Sequence, residues 1–126
     1  MTILVNNRKP DVAFYKNGRI DICAKVAKQL NLEHGDIISL AQDNGEVYLF
    51  IANKHSETNS ARCTGRCFPS RKHSLNFRSQ STALCKAILN LCNTPSAALL
   101  PAGTPVAIPS LGVAIPLITR NNLALN

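Results

Sequence analysis

At 126 residues, with two Tyr, four Phe and no Trp, the chain fits one ordinary domain or two very small ones around an aliphatic core. Its net charge of +7 is uneven: residues 1–54 hold seven Lys/Arg against six Asp/Glu, and residues 55–126 hold seven against one, a surplus that points to a polyanionic partner. Five cysteines form no even framework and suit a reducing cytoplasm; no apolar run nears the roughly 18 residues of a membrane span, and Ile3-Leu4-Val5 is too short for a signal segment.

In chain order, Val12-Ala13-Phe14-Tyr15 reads as a strand and Asn17-Gly18 as a hairpin signal. Arg19-Ile20-Asp21-Ile22 alternates with period two, which suits a strand with one buried face. Cys23, Val26, Ala27 and Leu30 then form the apolar stripe of a short helix, with Lys25, Lys28 and Gln29 outside it. His34-Gly35-Asp36 breaks the helix. Ile37–Leu40 and Val47–Ile51 are predicted strands folded about Asn44-Gly45, a dipeptide suited to the positive φ of a type I′ turn.

Residues 55–74 read as a polar, basic linker. Beyond it, Leu75–Arg78 alternates as a strand, and Ser81 caps a predicted helix over about 82–92 with a stripe of Leu84, Cys85, Ile88, Leu91 and Cys92. Asn93-Thr94-Pro95 stops it. Thr104–Ile108 and Val113–Thr119 are predicted strands, which Pro105, Pro109 and Pro116 confine to short or edge positions. The chain is therefore expected to be α+β, with two strand–helix–hairpin units: 1–54 and 75–126, joined by 55–74. Aligning Val26 with Leu84 and Leu30 with Ile88 brings the units into phase, either as a diverged duplication or because this arrangement is common.

The first unit resembles the AbrB-like (SpoVT/MazE) swapped-hairpin DNA-binding domain. The resemblance lies in Gly18-Arg19-Ile20-Asp21-Ile22, the helix from Ala24 to Leu32, Gly35-Asp36-Ile37-Ile38 and the hairpin from Leu40 to Leu49. It covers roughly residues 12–52. Cys23 departs from the family's usual proline, and Val12 stands where a basic residue is common. The resemblance implies interleaved hairpins, so a homodimer or an intrachain pseudo-dimer, and a regulator or antitoxin-like module that binds double-stranded DNA. It also implies DNA contact by Arg19 and Lys28; the plain alternative for both is a solvated charge.

The linker adds Arg62, Arg66, Arg71 and Lys72, with Arg78 beyond, and no acid from Arg62 to Arg78. These cations suit a phosphate backbone or a solubilising loop, and Phe68 and Phe77 suit stacking on bases. Cys63, Cys67, His73 and His55 are the ligand types of tetrahedral zinc, but their spacing is unorthodox, so unligated thiols and no cofactor are expected. Arg66 beside Cys67 would favour the thiolate. No paired acids, nucleophile elbow or phosphate-binding glycine loop appears, so the expected function is not enzymatic. The competing expectation is a protein-interaction module whose C-terminal strands pair edge to edge with a partner.

Overall fold

The computed structural model describes residues 9–53 and 64–123. It is a mixed, mostly β structure of two five-stranded antiparallel sheets and two helices. The strands are β1 (Val12–Tyr15), β2 (Arg19–Ile22), β3 (Ile37–Asp43), β4 (Glu46–Asn53), β5 (Gly65–Arg66), β6 (Phe68–Pro69), β7 (Phe77–Gln80), β8 (Ala97–Leu100), β9 (Val106–Ile108) and β10 (Gly112–Leu117). Helix α1 (Ala24–Leu30) follows β2, and α2 (Thr82–Leu91) follows β7.

Turn chemistry places the hairpins. The β1–β2 loop is Lys16-Asn17-Gly18: Gly18 has φ +94°, and its N–H donates to the Tyr15 carbonyl at 2.9 Å. Only glycine takes this left-handed position cheaply, and a Cβ here would collide with Gln80 Nε2. Gly18→Ala is therefore expected to cost about 1–3 kcal/mol, measurable by urea unfolding. At Asn44-Gly45, φ values of 52° and 81° make the expected type I′ turn, opposite the pair Asp43↔Glu46.

The helices end as local chemistry dictates. Ser81 Oγ accepts the Leu84 N–H at 3.1 Å, an N-cap whose loss in Ser81→Ala should cost about 1 kcal/mol by thermal or denaturant unfolding. Helix α1 has no side-chain cap from Cys23; instead Asn76 Oδ1 accepts the Ala24 N–H at 2.8 Å across the fold. The helix stops at Asn31, in the left-handed conformation with φ 58°, before the predicted His34-Gly35-Asp36 break.

One sheet has the order β6-β7-β2-β1-β8 and the other β5-β3-β4-β10-β9, so in each an adjacent pair of N-terminal strands is flanked on both sides by strands from later in the chain. In the first, β2 lies against β7 with Asp21 opposite Arg78, and Val12 of β1 faces Leu100 of β8. In the second, β4 lies against β10 with Leu49 opposite Ile115. A single core receives Val12, Phe14, Ile20, Leu49, Leu100 and Ile115, all buried, together with the inner faces of both helices.

Three expectations need correction. The described part of the linker, 64–74, contains β5 and β6, and Cys67 between them is buried. Its N–H donates to the Asp36 carbonyl at 2.7 Å, and its carbonyl accepts the Gly35 N–H, so this segment extends the pairing of β3. The strand expected at 75–78 begins instead at Phe77, and Leu75 is left exposed. Finally, Pro116 does not put β10 at an edge: β10 lies between β4 and β9. The Pro116 carbonyl accepts from Gly103, so its missing N–H falls on that same side, where β9 pairs only with Gly112, Val113 and Ala114.

Candidate nucleic-acid interface

Alternation sorts the side chains of the first sheet. Ile20 and Ile22 of β2 point into the core, so Arg19 and Asp21 occupy the outward face, and the register places Arg78 of β7 directly beside Asp21. Arg78 Nε donates to Asp21 Oδ1 at 2.9 Å. Arg19 Nε lies 3.3 Å from Asp21 Oδ2 without hydrogen-bond alignment, and its guanidinium carbon sits 4.3 Å from the centre of the Tyr15 ring. Each arginine thus meets the carboxylate through Nε. The terminal amino groups of both have no hydrogen-bond partner among the described residues.

Magnitude limits what this cluster can contribute to stability. Its side chains are 39% (Arg19, Arg78) and 33% (Asp21) exposed, and ion pairs this open stabilise a fold by about 1 kcal/mol at most. What the pairing does firmly is hold two planar guanidinium groups side by side, each with its donor end uncommitted, the geometry that phosphate and base edges accept.

The cluster borders a hollow of about 510 Å³ on the same face, lined by Lys9, Asp11, Tyr15, Arg71, Asn76 and Phe77 among others. Lys72 is exposed beside Arg71 in the turn before β7. Phe77 also lines a second hollow, of 360 Å³, along α1 and flanked by Lys25 and Lys28. The basic surface therefore runs from the sheet face past Phe77 to α1. By contrast, β3, β4, β9 and β10 carry only two charged residues, Asp43 and Glu46.

The fold thus gathers Arg19, Arg78 and Arg71, with Lys72 beside them and Lys28 at the far end of the adjoining groove. Arg66 does not join them: it is exposed on β5, at the edge of the other sheet. Arg62 lies outside the described residues. Phe68, directly opposite Arg78 on β6, is 39% exposed, whereas Phe77 is half-buried, packed against the core while lining both hollows. Lys9, Asp11, Tyr15, Asp21 and Asn76 were not singled out from sequence as site residues. Only Arg19-x-Asp21, two outward positions of one strand, carried a local signal.

Compared with protein-family models, curated proteins and solved structures, the chain matches none.

The cysteine chemistry differs from the expectation. Burial pushes the Cys67 thiol up to about 12; a hydrogen bond with Ser79 opposes the rise, and the charge of Asp36 adds to it. Burial thus works against the thiolate that a neighbouring arginine would favour. A thiol held above its unfolded value favours the fold below about pH 8.5 and costs stability as pH climbs toward 12. The native protein at pH 8 is expected to leave Cys67 unlabelled by an aromatic disulfide reagent until denaturant is added; rapid native labelling of Cys67, located by peptide mass, would contradict this. Burial also takes Cys67 away from exposed His73, and no cluster of three or more metal-ligating side chains occurs among the described residues; Cys63 and His55 lie outside them. Cys23, Cys85 and Cys92 are free thiols, buried or half-buried. No helix among the described residues is long and apolar enough to cross a membrane.

Proposed function

We propose that this chain binds double-stranded DNA as an AbrB-like transcriptional regulator or antitoxin-type module, without catalysis of its own. The observation that carries the reading is the Arg19–Asp21–Arg78 cluster on the central strand pair of a sheet face, bordered by Lys9 and Arg71. Phosphates reward clustered cations, and paired guanidinium groups add directional donors for base edges.

The strand order supports an intrachain pseudo-dimer of swapped hairpins. Each half supplies a strand that leads into a helix, β2 into α1 and β7 into α2, and these two strands pair antiparallel; so do the hairpin strands β4 and β10. In this reading the interleaving that two small chains would achieve together takes place within one.

Fluorescence anisotropy of a labelled duplex tests the proposal. With about four to six phosphates engaged, affinity should fall more than a hundredfold between 50 and 200 mM salt. Failure to bind any duplex at 50 mM salt would remove the DNA reading.

A second reading has one observation in its favour. Strand β9 is a sheet edge, and Val106 and Val113 beside it are 40% and 48% exposed, which suits edge pairing with a protein segment. Here Val106→Lys would abolish partner capture and leave DNA affinity unchanged.

A further inference from the structure

The two helices carry matching hollows. Ala24, Lys28, Asn31 and Leu32 line the one on α1; Thr82, Lys86, Leu89 and Asn90, at the corresponding positions of α2, line another of about 340 Å³. The opposing walls differ. Leu75 and Phe77, from the approach to β7 and its first residue, close the α1 hollow, whereas Lys16, from the approach to β2, lines the α2 hollow. Lys16 is fixed there by its backbone N–H, which donates to the Ser96 carbonyl at 3.0 Å.

Charge makes the α2 hollow a candidate for anions. Lys16 and Lys86 are both exposed, and neither forms an ion pair with a described residue. No Asp or Glu occurs anywhere in the chain after Glu57, and the β1–β2 turn contributes none, so no carboxylate lines this hollow. Thr82, Asn90 and Thr94 add neutral hydrogen-bonding groups.

Placement links the hollow to the arginine cluster. Strands β2 and β7 run antiparallel, with Ile22 opposite Phe77 at one end and Arg19 opposite Gln80 at the other. Helix α1 departs after Ile22 and α2 after Gln80, so they start from opposite ends of a strand pair about 10 Å long, with the cluster between them.

We propose that Lys16 and Lys86 form a second phosphate-contact site for duplex DNA, opposite the α1 end, so that a duplex lying over the arginine cluster is held at both ends. This rests on the DNA-binding reading. The α2 end supplies two lysines beside Leu89 and Pro95; the α1 end supplies Lys25 and Lys28 beside Leu75 and Phe77.

The test uses the full chain and a labelled duplex of roughly 20 bp, two helical turns, across a sodium chloride series. Lys16→Ala/Lys86→Ala should bind about tenfold more weakly at 100 mM salt, with a salt slope shallower by about two, one for each lost phosphate contact. Lys16→Arg/Lys86→Arg should restore affinity and slope, since it restores both charges. Both positions are exposed, so an unchanged thermal midpoint is expected and checks the fold. An alanine pair that keeps the wild-type affinity and slope, or an arginine pair that rescues neither, overturns this site while leaving the arginine cluster standing. Wild-type protein that binds no duplex at 50 mM salt overturns both.

Discussion

Residues 1–54 expressed alone are expected to be unfolded, or to assemble into a dimer, and not to give a stable monomer. The reason lies in the strand order. Cutting after residue 54 strips β2 of β7, β1 of β8, β3 of β5 and β4 of β10, which leaves each of the four remaining strands open along one side. It also removes Leu84, Ile88, Leu100, Ile115 and Leu117 from the common core. At about 1.5–3 kcal/mol for each buried aliphatic side chain, that loss is on the order of 10 kcal/mol, as large as the entire net stability of an ordinary domain. Dimerisation would restore equivalent pairings by matching β2 to β2 and β4 to β4. Sedimentation or light scattering with circular dichroism separates the outcomes; a cooperatively unfolding monomer would refute the interleaved reading.

Arg19→Ala/Arg78→Ala is expected to weaken duplex binding by about a hundredfold or more and to flatten the salt slope by about two. Because these ion pairs are open to solvent, the same variant should lose no more than about 1 kcal/mol of stability, so binding and folding come apart. Asp21→Asn acts in the opposite sense. It removes the one carboxylate that both arginines share, so affinity for random duplex should rise several-fold at low salt while preference among sequences narrows. Unchanged binding by the double alanine variant would place the DNA contact elsewhere.

Much of the local architecture was legible in the chain because it rests on short-range chemistry. Asn44-Gly45, Asn17-Gly18, the Ser81 cap and the α1 stripe sit where the residues direct them; in α2, Leu84, Cys85 and Ile88 are buried as expected, but Leu91 is exposed and Leu89 enters the core in its place. What failed depended on distant partners. Ala97–Leu100 has no β-branched residue and no alternation of polarity, and it is a strand because β1 offers it an edge. Gly65 and Cys67 look like linker composition, yet β3 and Asp36 draw them into the sheet and the core. The same holds for the site. Arg19 stood out from its own neighbours, but its association with Arg78 comes from the register of β2 on β7, which joins Asp21 to Arg78 across 57 positions of sequence.

The distribution of charge between the two sheets bears on encounter rates as well as on affinity. With cations gathered around the first sheet and its helices, and only Asp43 and Glu46 on the main strands of the second, the molecule has a marked electrical polarity. A body of this kind turns as it nears a polyanion, so the productive face arrives first and fewer collisions are wasted. Association should therefore be fast at low ionic strength and slow steeply as salt is added.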